Sequence, residues 1–472
     1  MKQNEIIELD IDSLAFGGNS VARSEGAVFF IKFGVPGDRI MATITRKKKS
    51  YREAIIENLI TASPHRVDAP CKYFGNCGGC SWQNVDYPEQ VNQKKQIVLD
   101  SLIRIGKLDI EKINEPLASP LLFHYRNKME FSFSAARWLT KDEISQEDNE
   151  IKNKNFAFGL HAPGRFDKVL DIDTCLLQHE KANMLFSAMK KAAEKSNCTA
   201  YNHVEHKGFF RNFLLRYSYS NDQIMAMLIT NAVKSDRDKA FMEYYRNEFS
   251  KLLGENDTLL HGINATNSPV DIQEISLLKG SGFITEKILD IEYRISPQSF
   301  FQTNSSHLNG FISKIIEMAE INREDTVWDL YCGAGSITLP ASRQCDNIYG
   351  IELIEIAVSD AKENAERNNI SNAHFYCEDL HKKHLPEMLN TLPRPDIIIV
   401  DPPRAGMHKN VVEHIYNLEP KRIVYVSCNP TTQARDLELL KEKYNITELV
   451  PVDLFPHTYH VESICRLDRK AE

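Results

Sequence analysis

The chain has 472 residues, of which 42% are hydrophobic and 26% charged, and its formal net charge is −8. This composition is that of an ordinary globular protein, and the length favours two to four domains of roughly 150 residues each. A net negative charge excludes a global attraction to nucleic acid, so any RNA or DNA site must be a local patch. No apolar run reaches the roughly 18 residues of a membrane helix, and the acidic start MKQNEIIELDIDSL is unlike a secretory signal. We therefore expect a cytoplasmic protein without a membrane segment, and no obligate protein partner is evident.

Residues 1–62 predict a small β-barrel. The stretches EIIELDIDSL, NSVARSEGAVFFIKF and DRIMATITRKKKSYREAIIENLI alternate apolar and polar residues and are separated by glycine-containing turns. About five short strands in this length are typical of an OB-like fold. The basic run at residues 46–49 is either a solvated hairpin tip or a contact to an RNA phosphate backbone.

The stretch CKYFGNCGGC places Cys71, Cys77 and Cys80 within ten residues. A reducing compartment disfavours structural disulfides, so clustered cysteines indicate metal ligands. An iron–sulfur cluster and a structural zinc ion both take four thiolates, and the fourth must come from elsewhere in the chain.

Residues 63–285 predict a central α+β domain that carries the cysteine segment. QVNQKKQIVLDSLIRIGKL has helical periodicity, and part of 85–125 is expected to pack on the domain that follows. The polar stretch 141–155 predicts a mobile loop. HYRNKMEFSFS and FFRNFLLRYSYS are β-like and interleave basic with aromatic residues. These are candidate RNA contacts or ordinary outward-facing strand residues: Arg126, Lys128, Arg211 and Arg216, beside Tyr125, Phe131 and Phe210.

Residues 286–472 alternate strand-like and helical runs, which predicts a Rossmann-like α/β domain with a parallel sheet. The strand-like runs are DTVWDLY, NIYGIEL, AHFYCED, DIIIVDPP and RIVYVSCNP; the helical runs are SSHLNGFISKIIEMAEI, IEIAVSDAKENAERNN and NVVEHIYNL.

The run VWDLYCGAGSITLP indicates a cofactor site. Gly333 and Gly335 let the backbone approach a ligand closely, and Glu352 closes the next strand, where an acid can accept both ribose hydroxyls. Thr338 stands where a dinucleotide fingerprint has its third glycine, and the Gly-Lys-Ser/Thr of a P-loop is missing. An aspartate before the turn and an acid after the next strand fit S-adenosylmethionine better. An αβ turn without a ligand is the alternative.

Two further strands end in unusual sequences. Asp401 is followed by two prolines, which cannot extend a central strand, and Cys428 stands just past a buried strand in VSCNP. Ligands of open α/β sheets bind at the carboxyl ends of strands, so both residues should share the rim with the glycine turn. Cys428 is either a nucleophile or a packed core cysteine.

The segment DLFPHTYHVESICRL gathers Asp453, His457, His460 and Glu462. Two histidines and an acid could form a metal site, although the spacing of His457 and His460 is too close for a strand and Pro456 argues against a helix. Glu462 could instead be a proton acceptor.

Together, DPPRAG, VSCNP and FPHTYHVE, with SPQSFFQTN at 296–304, resemble the S-adenosylmethionine-dependent RNA uracil-5-methyltransferases. The first sixty residues resemble the TRAM module of those enzymes, and the C-x5-C-G-G-C segment resembles their iron–sulfur site. The resemblance implies that Cys428 is the nucleophile that adds to C6 of uracil and that Glu462 is the base that removes the C5 proton. It also implies that four residues contact the cofactor: Gln302, Tyr331, Glu352 and Asp401.

The resemblance further implies a [4Fe–4S] cluster. Its fourth ligand would be Cys175, in GLHAPGRFDKVLDIDTC, with Cys198 as the competing thiol and zinc as the rival ion. Because the reaction has no redox step, the cluster would be structural or would position RNA.

The family's transfer-RNA members generally lack the TRAM module and the cysteine cluster, so the resemblance favours 23S ribosomal RNA, with transfer RNA as the alternative. Two other functions remain open. An RNA cytosine-5-methyltransferase would need a second cysteine where Glu462 stands, and a catalytically idle RNA-binding protein would not need Cys428 or Glu462.

Overall fold

The computed structural model describes residues 5–144, 153–268, 271–384 and 387–471, and in this part of the chain the strands form four sheets. The loop predicted at 141–155 lies partly outside the described residues; its first residues form helix α2 (Lys141–Ile144). None of the helices in the described ranges is both long and apolar enough to cross a bilayer.

The N-terminal sheet is a closed barrel in the order β1-β2-β3-β5-β4, as the sequence predicts. Its alternating residues point to a small core that includes Leu9, Phe29 and Ile40. The basic hairpin tip between β4 and β5 is exposed. The strands are β1 (Ile6–Leu14), β2 (Ser20–Ser24), β3 (Ala27–Ile31), β4 (Arg39–Lys47) and β5 (Tyr51–Thr61).

Helix α1 (Tyr87–Asp100) begins at Asp86, whose side chain accepts a hydrogen bond from the Glu89 amide, and it ends in a π-helical turn, Ser101–Ile105. Its apolar face lies in the core of the C-terminal sheet. Residues 110–117 then run parallel to strand β21 (Tyr444–Val452) through three isolated bridges. This part of the central segment is therefore built onto the C-terminal unit.

The central sheet has eight strands in the order β13-β12-β11-β10-β6-β8-β9-β7. They are β6 (Lys128–Ser134), β7 (Arg137–Trp138), β8 (Ala157–His161), β9 (Val169–Asp171), β10 (Phe210–Tyr217), β11 (Ile224–Thr230), β12 (Thr258–Ile263) and β13 (Glu274–Lys279). Its helices are α3 (Glu180–Lys195), α4 (Asp236–Tyr244), continued by the π-helical turn Tyr245–Phe249, and α5 (Ser250–Leu252). The hairpin β14 (Ile284–Ile288) and β15 (Ile291–Ile295) follows.

Two of the four candidate cations, Arg211 and Arg216, are buried, so an RNA contact and an outward-facing strand residue are both wrong for them. Arg211 and Arg216 are buried, and each donates to main-chain carbonyls: Arg211 to Asn264 O at 2.9 Å and Arg216 to Ser299 O. Tyr125, Phe131 and Phe210 are fully buried as well. Both arginines can be buried because loop carbonyls accept their hydrogen bonds. The sequence of the strand does not reveal these acceptors.

The C-terminal sheet has seven strands in the order β18-β17-β16-β19-β20-β22-β21. The five strands β16–β20 are parallel, as predicted, whereas β22 is inserted antiparallel between β20 and β21. The strands are β16 (Thr326–Leu330), β17 (Asn347–Glu352), β18 (Ala373–Cys377), β19 (Ile397–Val400), β20 (Arg422–Ser427), β21 (Tyr444–Val452) and β22 (Glu462–Arg469). The helices are α6 (Ser305–Ala319), α7 (Thr338–Ala341), α8 (Glu355–Arg367), α9 (Lys409–Leu418) and α10 (Pro430–Leu440), with a 3₁₀ turn at Leu389–Thr391.

Candidate active site

The register of the sheet brings the two predicted catalytic residues together. Ser427, the last residue of β20, pairs with Ser463 of the antiparallel β22. Because the two strands are antiparallel, the residue after Ser427 lies opposite the residue before Ser463, which sets Cys428 opposite Glu462. On the other side of β20, strand β19 ends at Val400, so Asp401 lies on the same rim.

Local sequence explains why Cys428 leaves the strand at this point. The Asn429 side chain accepts from the Thr431 amide at 3.1 Å and caps α10, and Pro430 occupies the first helical turn. The Ser427 hydroxyl accepts from the Asn429 amide at 3.1 Å. The cysteine is thus held half-exposed between a strand end and a helix start.

Burial and mutual repulsion control the protonation of these groups. Burial raises the pKa of Cys428 to about 12, and the carboxylates of Glu462 and Asp401 add to the shift. Burial holds the pKa of Glu462 well above its ordinary value, with Asp401 contributing, and raises that of Asp401 to about 7. Arg404 opposes the shifts in Cys428 and Glu462, because its positive charge favours their ionised forms. Sequence reasoning assigned no role to Arg404, although it follows Asp401-Pro-Pro directly.

Glu352 closes the glycine turn. One carboxylate oxygen accepts from the Gly333 amide at 3.1 Å, and the other accepts from the amides of Leu353 and Ile354 at 2.8 and 2.9 Å. Gly333 has a positive φ of 54°, and a side chain added there would meet no atom within 4 Å. The turn therefore borders open space beside an acid, which is what a bound ribose requires.

One buried polar atom beside this turn, Asp329 Oδ1, has no hydrogen-bond partner among the described residues. Asp329 lies within β16 and its other carboxylate oxygen accepts from the Thr338 hydroxyl at 2.5 Å. Burial raises its pKa to about 7. Unsatisfied buried polar atoms need a partner, so this edge fits a polar ligand. The sequence showed an aspartate before the turn, but only the structure reveals its unpaired oxygen.

Gln302 is connected to the same turn by the residue before it, Phe301. Asn127 Nδ2 donates to the Gln302 carbonyl at 2.8 Å, and the ring of Phe301 packs 5.9 Å from that of Tyr293. The Tyr293 hydroxyl donates to Gly335 O at 3.3 Å. Three of the four residues predicted to contact a cofactor, Tyr331, Glu352 and Asp401, therefore lie at the carboxyl ends of strands.

Four cysteines line one cavity of about 380 Å³: Cys71, Cys77, Cys80 and Cys175. The two segments are tied together outside the cavity, where Asp173 accepts from the Tyr73 hydroxyl and from Lys72 Nζ, each at 2.9 Å. Cys198 lines a different surface pocket beside Arg237. The structure thus brings Cys175, and not Cys198, to the three clustered thiols.

No group of three or more His, Cys, Asp or Glu side chains in the described ranges is placed to hold a single metal ion. The four thiols line one cavity, and four cysteines are the donor set that an iron–sulfur cluster or a structural zinc ion takes. The alternative metal site at the C-terminus finds no support either. His457 Nδ1 accepts from Gln90 Nε2 at 3.1 Å, and its ring stacks on Phe123 at 4.3 Å.

The carboxyl rim of the Rossmann-like sheet carries a cysteine, an acid and the glycine turn beside Glu352. This arrangement is typical of enzymes of the methyltransferase class that bind a nucleotide-like cofactor. Comparison with known proteins identifies the group. A family profile described as tRNA (uracil-5-)-methyltransferase matches residues 172–470. The chain belongs to this family and is an RNA methyltransferase.

Relatives match over the whole length. An RNA methyltransferase of Chlorobaculum tepidum is 40% identical over 474 residues, covering 99% of this chain and 97% of the relative. One of Bacteroides thetaiotaomicron is 39% identical over 458 residues, covering 96% and 100%. Among solved structures, the Pyrococcus abyssi tRNA (uracil-54, C5)-methyltransferase, in complex with S-adenosyl-L-homocysteine, is 27% identical with a TM-score of 0.73, covering 98% of this chain and 100% of that one.

Proposed function

We propose that the protein transfers a methyl group from S-adenosylmethionine to C5 of a uridine in RNA. The observation that carries this proposal is the pairing register that sets Cys428 opposite Glu462, with Asp401 on the next strand end. A thiol and a carboxyl group on one rim supply a nucleophile and a base. An acid, rather than a second cysteine, faces Cys428, which favours uracil over cytosine as the methylated base.

The mechanism begins when the Cys428 thiol, whose pKa burial raises, gives up its proton to solvent and adds as thiolate to C6 of the uracil ring, which makes C5 enolate-like and nucleophilic. S-adenosylmethionine supplies the methyl group that C5 takes up. Glu462, which must first lose the proton that its burial favours and whose ionised form Arg404 stabilises, then removes the proton from C5. The electron pair of that C–H bond restores the C5–C6 double bond and expels Cys428 as thiolate. A uridine in folded RNA must leave its stack to reach this rim.

The residues that would hold S-adenosylmethionine are Gln302, Tyr331, Glu352 and Asp401, together with Asp329. The Asp329 oxygen without a partner among the described residues supports a polar ligand beside the turn, and the Glu352 carboxylate beside Gly333 suits a ribose. These side chains orient the cofactor and keep it on the same rim as Cys428.

We also propose that Cys71, Cys77, Cys80 and Cys175 hold a [4Fe–4S] cluster, with zinc as the alternative. The common cavity of the four cysteines supports a shared metal group. Its role is structural, because the reaction transfers no electrons. We place the protein in the cytoplasm, where free thiols stay reduced until they bind metal.

The RNA target has two candidates. The resemblance of the barrel to a TRAM module and the cysteine cluster favour 23S ribosomal RNA. The full-length likeness to a tRNA enzyme from Pyrococcus abyssi favours transfer RNA, and it weakens the barrel as a criterion, because that match covers 98% of this chain. We keep 23S ribosomal RNA as the first candidate and transfer RNA as the second.

A two-part experiment tests the proposal. Purified protein and S-adenosylmethionine are incubated with total RNA that carries tritium at C5 of uridine, and released tritium is compared with 5-methyluridine found by mass spectrometry. We expect equal amounts of both, with the product mapped to ribosomal RNA. Methylation without tritium release would reject C5 as the acceptor, and product confined to transfer RNA would replace the first target with the second.

A further inference from the structure

The short segment before the catalytic strand is fixed by several parts of the chain. Four successive main-chain carbonyls, at 454–457, each accept a hydrogen bond from a different region. The donors are Asn304 Nδ2 to Leu454 O at 2.9 Å, Lys94 Nζ to Phe455 O at 3.0 Å, the Tyr125 hydroxyl to Pro456 O at 3.1 Å, and the amides of Ser81 and Trp82 to His457 O at 2.9 and 3.0 Å. Five residues after His457, the chain enters β22 at Glu462.

The last of these anchors is the cysteine loop itself, because Ser81 and Trp82 directly follow Cys80. Gln90 of α1 strengthens the junction. Its Oε1 accepts from the His457 amide at 2.8 Å, and its Nε2 donates both to His457 Nδ1 and to Trp82 O, at 3.1 and 3.0 Å. One buried side-chain amide thus joins the loop and the segment.

The backbone of His457 adopts an uncommon conformation at this junction. Its φ is 65°, a left-handed conformation that is uncommon for residues other than glycine. Such a conformation persists only where the surroundings determine it, and here they are Gln90, the two loop amides and the stacked ring of Phe123. If the loop amides were to move away, His457 would lose both donors to its carbonyl, and the start of β22 would lose one of its four restraints.

We infer that the cysteine loop is a positioning element for the base Glu462, acting through Ser81, Trp82 and His457. This inference rests on the proposed function for the role of Glu462 and gives the metal group a task in a reaction without electron transfer. Thiolate ligation orders the loop, and the ordered loop holds the segment that leads into β22. His457 and Gln90 are positioning residues.

Hydrogen exchange followed by mass spectrometry tests the inference without relying on activity. Cys175 lines the cavity but is far in sequence from Ser81 and Trp82, so Cys175→Ser leaves the loop sequence intact. In this variant, the rate of amide hydrogen exchange at 453–462 should rise at least tenfold. Exchange in strand β19 should stay unchanged. Cys198→Ser is the matched control and should leave both regions unchanged. Unaltered exchange at 453–462 in Cys175→Ser would overturn the inference, and so would a rise spread evenly over the molecule, because that reports general destabilisation.

A second variant cuts the junction while all four thiols remain. Gln90→Leu should keep the metal content of the wild type but show the same local rise in exchange. Its control is Gln93→Leu on the same helix, since Gln93 accepts from the Leu14 amide of the barrel at 2.8 Å. Gln93→Leu should affect the barrel and spare 453–462. Equal behaviour of the two variants at 453–462 would also overturn the inference.

Kinetics then separate positioning from binding. Gln90→Leu should lower kcat roughly a hundredfold, the scale of a misplaced catalytic group, and leave KM for S-adenosylmethionine within about twofold. A change confined to KM would contradict positioning of the base. If neither wild type nor variant methylates RNA, the proposed function fails, whereas the exchange results still decide whether the loop fixes the segment.

Discussion

The carboxyl rim of the C-terminal sheet and the cysteine cavity both hold partly buried thiols, and the pKa values of Cys428, Cys77 and Cys80 are all raised to about 12, chiefly by burial. The second cause differs. At the rim it is the charge of Glu462 and Asp401, whereas in the cavity it is the other cysteines. A thiol beside acids can exchange protons with them, but thiols beside thiols become thiolates together only when a cation compensates their charge.

The two regions also differ in how the chain builds them. The rim is set by β-sheet register, since Ser427 pairs with Ser463 and the neighbouring positions follow. The cavity is set by side-chain bonds between loops, such as those that Asp173 accepts from Tyr73 and Lys72. The rim should therefore tolerate loss of its reactive groups without loss of shape, whereas the cavity should lose its order with its thiols.

Replacement of the rim nucleophile should have the largest effect. Cys428→Ala should lower methyl transfer at least roughly 10⁴-fold, because C6 addition has no other nucleophile. Binding of S-adenosylmethionine, measured by calorimetry, should be retained. Cys377→Ala, at an exposed cysteine on the same sheet, is the control with expected full activity. Turnover by Cys428→Ala above a hundredth of the wild-type rate would reject the assignment.

Removal of the rim base should give a smaller loss with a distinctive product. Glu462→Gln should slow turnover roughly 10²- to 10⁴-fold, the usual contribution of a general base. Because cysteine addition and methyl transfer precede its step, a covalent RNA–protein adduct should accumulate and be visible by denaturing electrophoresis. Slow turnover without adduct would place Glu462 at an earlier step.

Removal of one cavity thiol should change the metal first and the rate second. Cys175→Ser should lose the visible absorbance of an iron–sulfur cluster, while Cys198→Ser keeps it, because only Cys175 lines the shared cavity. Iron and zinc are measured in parallel by elemental analysis. An unchanged spectrum in Cys175→Ser would remove this residue from the ligand set, and zinc without iron in the wild type would select the rival ion.

The smallest effect concerns stability at the rim. Asp329 keeps its proton up to about pH 7 when folded and loses it near 4 when unfolded. The unfolded chain therefore binds fewer protons between these values, and this group makes stability fall as pH rises from 4 to 7. Asp329→Asn removes that loss and should raise the free energy of unfolding by about 2 to 4 kcal/mol at pH 8. Urea titrations at pH 4 and 8 measure it; an equal change at both would assign the gain to packing.

Much of the C-terminal fold was readable because strand ends carry strong local signals. The prolines after Asp401 and the Asn-Pro after Cys428 mark the points where the ladder stops and a helix begins. The barrel was likewise predicted from alternation and turns. These signals lie within a few residues of each strand end, so the strand boundaries can be predicted from the sequence alone.

The contacts that the sequence did not reveal are the long-range ones. The buried arginines Arg211 and Arg216 find their acceptors in loops that are 53 to 83 residues away. The junction of Gln90 with His457 spans 367 residues, and the insertion of β22 beside β20 depends on pairing that no motif records. Asp329 was visible as part of a motif, but its unpaired oxygen depends on the packing of Thr338 and the neighbouring strands.

The place of β22 has a consequence for the order in which the enzyme is made. This strand follows β20 and β21 in the chain but lies between them in the sheet, and it carries Glu462. During synthesis, β20 and β21 are made before β22, the strand that lies between them in the sheet. The sheet is therefore completed only when residues 462–469 have been made. Domains fold from the N-terminus as they emerge, so the cysteine loop is available early and the base late. The nascent chain can therefore bring its four clustered cysteines together well before it presents Glu462 beside Cys428.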